Sequence, residues 1–272
     1  MTSFHLHLVS DSTGETISMV ARACMVLFDD VEPVEHLWSM TRNVDQVSDI
    51  SKNLTENPGI VLYTVVDNKV RDRLEDSCRK IGVPCVSVLD PVIGVLGAFL
   101  GAKIHARPGQ QHVMDADYFD RIEAMQYVLN HDDGQSTRNL EEAGVVLVGV
   151  SRTSKTPTCI YLANRGIKAA NVPIVPECPL PDELFEAANP LIVGLIKDPK
   201  RLIEIRRQRL KFLNQDENTD YVNPELVHEE VKDARKLFVK QGWPTINVTR
   251  RSIEETAATI IQMLNKKREI EM

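Results

Sequence analysis

A chain of 272 residues with 43% hydrophobic and 26% charged side chains can bury one large core or two modest ones, so it is expected to be globular. Its net charge of -7 argues against a general nucleic-acid binder, which needs surplus Lys and Arg to neutralise phosphates. No apolar stretch reaches the ~20 residues of a bilayer helix, and the N-terminus lacks a basic region followed by an apolar segment. The expectation is a soluble, cytoplasmic protein that engages neither nucleic acid nor membrane. Five cysteines, odd in number and without C-x-x-C spacing, indicate neither a disulfide framework nor a zinc cluster, and most are expected in the core.

From Phe4 to about Ala102, short β-like runs alternate with helical ones. FHLHLVS reads as a strand, with His5 and His7 as core or edge residues. The SDSTGET that follows reads as a turn into a helix, with Ser12 as N-cap and Glu15 completing a capping box. GIVLYTVV, from Gly59, is the near-continuous apolar run of a strand buried on both faces. Val70, Leu74, Cys78 and Ile81 then recur at helical spacing, and PCVSVL is the next strand. This is the βαβ rhythm of a parallel sheet covered by helices. No G-x-G-x-x-G follows any of these strands, which argues against a dinucleotide site.

The polar HARPGQQH, from His105 to His112, carries a Pro-Gly turn and makes the best boundary, giving an α/β domain over residues 1–105 and a second over 106–272. Beyond it, Phe119, Ile122, Met125 and Leu129 mark one face of a helix that HDDG, His131 to Gly134, ends. A second βαβ series follows: an apolar strand from Val145, a helix from about Lys155 to Asn164, VPIVP, LIVGLI and TINV as strands, and a long helix PELVHEEVKDARKLFVKQG. The closing KKREIEM reads as a frayed, solvated tail.

Between the Val145 strand and its helix lies GVSRTSKTPT, Gly149 to Thr158. It has the length and Lys-Thr ending of G-x-x-x-x-G-K-[ST], where backbone N–H groups at a helix N-terminus cradle phosphate. Lys155 is placed to reach the terminal phosphates, Thr156 to offer a hydroxyl to Mg²⁺, and Pro157 falls in the first turn, where its missing N–H matters little. The departure is Ser154, because left-handed backbone there costs a non-glycine residue ~1 kcal/mol or more. On the pattern alone two readings stand, a phosphate site and a polar strand-to-helix turn.

GVSRTSKTPTCIYLANRG, together with HLVSDSTGET, PG-x-x-H, YFDRIEAM and HDDG, resembles the bifunctional regulatory proteins of pyruvate, phosphate dikinase, whose near relatives regulate phosphoenolpyruvate synthase. The resemblance covers essentially the whole chain, and Thr153-Ser154 looks like the dikinase-regulating branch. The synthase branch more often has Ser-Gly there.

The resemblance implies a P-loop kinase-like second domain that transfers a phosphoryl group from ADP to a dikinase threonine, inactivating the dikinase and releasing AMP. It also implies the reverse switch, in which inorganic phosphate attacks the phosphothreonine and pyrophosphate is released. The nucleotide would lie across Gly149, Val150, Ser151, Arg152, Thr153, Ser154, Lys155 and Thr156. Lys155 would stabilise charge, Thr156 would hold Mg²⁺, and Arg152 would contact phosphate. The first domain is left for recognition of the dikinase or for self-association as a homodimer.

The proton acceptor is sought in HDDG, where Asp132 and Asp133 are candidates beside the plainer reading of a helix terminator, with His131 behind them. Asp11 is a candidate for a metal or the protein substrate. In RLIEIRRQRLKF, Arg206, Arg207 and Arg209 are either a basic lid over the phosphates or a solvated face. Arg250 and Arg251 precede a second capping box, Ser252 with Glu255, at a position that borders adenine in P-loop kinases by analogy of fold. Three rival functions stay open: the same chemistry on phosphoenolpyruvate synthase, an ATP-dependent small-molecule kinase, and a nucleotide-sensing module without chemistry.

Overall fold

A computed structural model describes residues 2–101, 116–134, 138–216 and 219–271. The chain divides into two compact units, residues 1–113 and 114–272. The polar boundary segment 105–112, with its PG-x-x-H motif, lies outside the described residues.

In the first unit, strands and helices alternate: β1 (Thr2–Val9), α1 (Glu15–Met25), β2 (Val31–Trp38), α2 (Val44–Glu56), β3 (Gly59–Tyr63), α3 (Asn68–Ile81), β4 (Cys85–Ser87) and α4 (Asp90–Leu100). The strands form one sheet in the order β2-β1-β3-β4, and every pairing is parallel. Leu6 and Leu8 of β1 pack with Ile17 and Ala21 of α1, while Val9 packs with Val47, Ile50 and Leu74 from α2 and α3. Helices thus cover both faces, as the apolar strands demand.

The capping box expected in SDSTGET does not form. The N-cap of α1 is Gly14, in left-handed backbone at φ 86°, with no side-chain cap. Ser12 is engaged elsewhere: its N–H is donated to Ser10 Oγ, and its carbonyl accepts the Met40 N–H. Asp11 likewise ties two loops together, its buried carboxylate accepting the Val66 N–H at 2.8 Å. Burial raises its pKa above the usual carboxylate value. The cysteines are free and split three ways: Cys78 and Cys159 are buried, Cys85 is half-buried, and Cys24 and Cys178 are exposed.

The second unit runs α5 (Ala116–Asn130), β5 (Val145–Val150), α6 (Lys155–Ala163), β6 (Ala169–Ile174), α7 (Asp182–Glu186), β7 (Leu191–Ile196), α8 (Pro199–Phe212), α9 (Pro224–Gln241), β8 (Thr245–Asn247) and α10 (Ile253–Glu271). Its sheet has the order β6-β5-β7-β8, again all parallel. Along β5, Val146, Val148 and Val150 pack towards α8 and α9, and Val145 and Leu147 towards α5, α6 and α10. The chain leaves β5 for β6 on one side, and β7 pairs on the other. The carboxyl end of β5 is therefore a topological switch point, where α/β sheets open a crevice.

Two expectations are reversed in this unit. On α5 the buried residues are Ala124, Tyr127 and Val128, whereas Phe119 is 61% and Leu129 70% exposed. The helix carries two stripes at equivalent spacing, and the sheet takes the one with the smaller and aromatic side chains. The closing segment is also no frayed tail, because α10 continues through Glu271. Ile260 and Leu264 anchor it in the core, and Lys267 donates to the carbonyls of Ala188, Asn189 and Pro190.

Candidate functional site

The loop after β5 turns directly into α6. Gly149 has to be glycine, since a Cβ there would sit 2.6 Å from the Leu195 carbonyl oxygen on the neighbouring strand. Arg152 and Ser154 both adopt left-handed backbone, at φ 72° and 65°. Ser154 thus takes the conformation a glycine would take, so the loop keeps its turn into the helix at a cost of ~1 kcal/mol or more. Strain of this kind gathers where geometry is functional. Ser154 is also the N-cap of α6 and makes no side-chain cap, so it leaves the first N–H groups of the helix available to an anion.

Thr153 is fully buried and braces the loop by donating to the Val150 carbonyl at 2.9 Å. Lys155 is 5% exposed, and its Nζ donates to the same carbonyl at 3.1 Å. Burial lowers the pKa of this ammonium to about 8, against the opposing pull of Asp133 and Asp132. Ser151 Oγ lies 2.9 Å from the Tyr221 hydroxyl, which also accepts from Arg152 Nε at 3.3 Å.

HDDG reaches this loop through β6. The His131 carbonyl accepts the Asn171 N–H, which seats the turn Asp132–Gly134 on that strand. Parallel pairing sets Asn171 beside Leu147 of β5. From there its amide Nδ2 contacts Asp132 at 2.6 Å, Asp133 at 3.0 Å and Thr156 Oγ1 at 2.9 Å. Thr156 donates its hydroxyl to Asp132 at 2.8 Å. Asp132, Asp133 and Thr156 are therefore one cluster, which the sequence placed in two separate motifs. His131 does not belong to it as a base. It is buried and stacked on Tyr127, and its two ring nitrogens face the carbonyls of Tyr127 and Arg138.

Two carboxylates and a hydroxyl are hard oxygen donors of the kind Mg²⁺ takes, and the chemistry of this set fits it. Among the described residues no group of three or more His, Cys, Asp or Glu is gathered for a metal. A cation at Thr156 would thus draw part of its shell from water and phosphate oxygens, as Mg²⁺ commonly does.

These residues border a cleft of about 580 Å³ lined by Asp133, Ser151, Arg152, Lys155, Thr156 and Lys197, among others. Gly149, Val150, Thr153 and Asp132 are not part of its lining. Arg206 is no lid residue. It is 1% exposed, pairs with Glu230 at 2.7 Å, donates to the Tyr221 carbonyl and more weakly to that of Ser151, and lies over the Tyr221 ring. It is a strut beneath the loop, while Arg207 is exposed. The capping box of Ser252 and Glu255 does form, and Arg250 and Arg251 line a separate polar cleft with Asp198 and Asn247.

Asn171, Lys197, Tyr221 and Glu230 went unnoticed in the sequence. Only Lys197 carried a signal, as a charge closing the apolar run LIVGLI.

Fold and site together define a parallel α/β protein with a strained strand-to-helix loop and an uncapped helix start at the switch point of its second sheet. The chain belongs to the kinase/pyrophosphorylase family, whose model matches residues 6–261. A relative from Paramagnetospirillum magneticum is 56% identical over 98% of this chain and 86% of its own length. One from Caulobacter vibrioides is 53% identical over 97% of this chain and 84% of its own. Both are named, provisionally, as pyruvate, phosphate dikinase regulatory proteins. A solved structure, the A domain of a carboxylic acid reductase from Segniliparus rugosus, has a TM-score of 0.24 and 11% identity over 90% of this chain and 48% of that one. That likeness is too slight to bear on the fold.

Proposed function

We propose that this protein regulates pyruvate, phosphate dikinase by phosphorylating one of its threonines from ADP and by removing that phosphate with inorganic phosphate. The observation that carries the reading is the convergence on one cleft of Lys155, the uncapped start of α6, Thr156 and Asp133, the last two tied to Asn171 behind them, in a chain of this family. The names of the relatives supply the dikinase as target.

Phosphoryl transfer asks for positioning and for neutralisation of spreading charge. The N–H groups at the start of α6 and the Lys155 ammonium receive the β-phosphate of ADP. Asp133 lines the cleft and is steadied by Asn171 through one carboxylate oxygen, which leaves the other to accept the threonine proton. The new bond joins threonine Oγ to the β-phosphorus, the bridge to the α-phosphate breaks, and AMP departs.

In the reverse switch an oxygen of inorganic phosphate attacks the phosphorus of the phosphothreonine, and the bond from that phosphorus to the threonine oxygen breaks. Asp133 returns a proton to the threonine oxygen, and pyrophosphate departs. Thr156 and Asp132 would hold Mg²⁺, which when bound supplies neutralising charge to the phosphates. One cradle serves both directions, because each presents a phosphoryl group to the same N–H groups.

The test is to incubate the purified protein with phosphohistidine-bearing dikinase and either ADP or ATP, following phosphothreonine on the dikinase and AMP in solution. Modification with ADP and little with ATP is expected. If neither nucleotide works, the same assay on phosphoenolpyruvate synthase moves the target to that enzyme. Failure on both returns the site to an ATP-dependent small-molecule kinase.

A further inference from the structure

Lys197 follows β7 at the carboxyl edge of the second sheet and lines the same cleft as the loop. It is 6% exposed. Three ammonium donors have no hydrogen-bond or ion-pair partner among the described residues. Burial lowers its pKa, and the charge of Arg201, another cation, adds to that.

The nearby carboxylates are committed elsewhere. Asp198 caps α8 by accepting from the N–H groups of Lys200 and Arg201, and Asp133, held by Asn171 through one oxygen, forms no ion pair with Lys197 and keeps its other oxygen for the threonine proton. The Lys197 Nζ is not sealed in the core but opens onto the cleft, so a largely buried side chain delivers an ammonium without a protein partner to that surface, at a cost in desolvation. The missing partner is an anion that enters the cleft.

Lys155 and the α6 N–H groups already account for one phosphate. Lys197 follows β7, the strand paired with β5, and lines the same cleft as Lys155. We propose that Lys197 is the cationic contact for a second phosphate beside the one held by the loop, so that the cleft is built for a diphosphate chain. The inference rests on the reading of the cleft as a phosphate site. In the forward reaction Lys197 would hold the α-phosphate that leaves with AMP. In the reverse reaction it would hold the incoming inorganic phosphate against the phosphothreonine. It is thus a substrate-binding residue in both directions.

The test is calorimetric titration of the full-length protein with sodium pyrophosphate and, separately, with sodium phosphate, for the wild type, Lys197→Met and Lys197→Arg. A charge-assisted contact of typical strength corresponds to a loss of roughly 10- to 100-fold in pyrophosphate affinity for Lys197→Met. Phosphate affinity is expected to change less than about 3-fold, because the loop holds a single phosphate by itself. Lys197→Arg restores most of the pyrophosphate affinity.

Lys197→Met is expected to melt no lower than the wild type, since it removes an unpaired buried charge. Unchanged pyrophosphate affinity in a folded Lys197→Met protein overturns the assignment, as do equal losses for both anions or a lowered melting temperature. If the wild type binds neither anion, the phosphate-site reading falls and this inference with it.

Discussion

Replacing Lys155 with Met separates what this residue does for the reaction from what it costs the fold. The residue is 5% exposed, and burial lowers the pKa of its ammonium from 10.5 to about 8. Keeping it charged at pH 7 therefore costs the folded state on the order of 3 kcal/mol. Met removes that cost and forfeits one hydrogen bond, to the Val150 carbonyl, of about 1 kcal/mol. The carbonyl is not orphaned, because Thr153 still donates to it at 2.9 Å.

Lys155→Met should thus be as stable as the wild type or more so, by up to roughly 2 kcal/mol, while ADP-dependent modification falls about 100- to 1,000-fold. The stability gap has a predicted pH dependence. Between pH 8 and 10.5 the unfolded lysine holds a proton that the folded one has released, so wild-type stability rises with pH and the gap closes. Urea unfolding followed by Trp243 fluorescence in a Trp38→Phe background reads the second unit alone, since the chain has two tryptophans. A gap that does not change across that range, or a variant that unfolds well before the wild type, would refute the reasoning.

The remaining expectations test other parts of the site and fold. Asp133→Asn should lower threonine phosphorylation about 100-fold or more while ADP affinity changes little, and a parallel fall in binding and rate would remove Asp133 as the proton acceptor. Arg206→Met strands the half-buried Glu230 and takes a donor from the Tyr221 carbonyl, so urea unfolding should show a loss of about 3–5 kcal/mol. A lid arginine would instead change kinetics and leave stability alone. His7 is fully buried; it faces the Asn57 carbonyl through Nε2 and accepts from Trp38 through Nδ1. Burial lowers its pKa below 6.5, so its contribution is fully present above pH 6.5 and is lost as pH falls towards the lowered value. Acid unfolding of the first unit, read by Trp38 fluorescence, should lose this step in His7→Gln.

The elements around the site were legible because their signals are local. LIVGLI, the Val145 run and PELVHEEVKDARKLFVKQ lie where sequence alone puts two strands and a long helix. The loop's shape was legible because a strand-to-helix turn is a contiguous stretch of backbone, and even Ser154 holds the glycine-like conformation. The α5 stripe shows the limit of such patterns. Period 3.6 marks a helix and its faces, but which face meets the sheet depends on where the sheet lies.

Sequence by itself therefore determined the α/β class and the position of the strand-to-helix loop after β5, both set by neighbours within a few positions along the chain. Tertiary structure alone decided that Asp132, Thr156 and Asn171 form one cluster, that Arg206 is a strut, and that Lys197 faces the same cleft as Lys155. The physical reason is that parallel strand register brings together the carboxyl ends of β5, β6 and β7, which lie more than twenty residues apart in sequence. No local pattern encodes that juxtaposition.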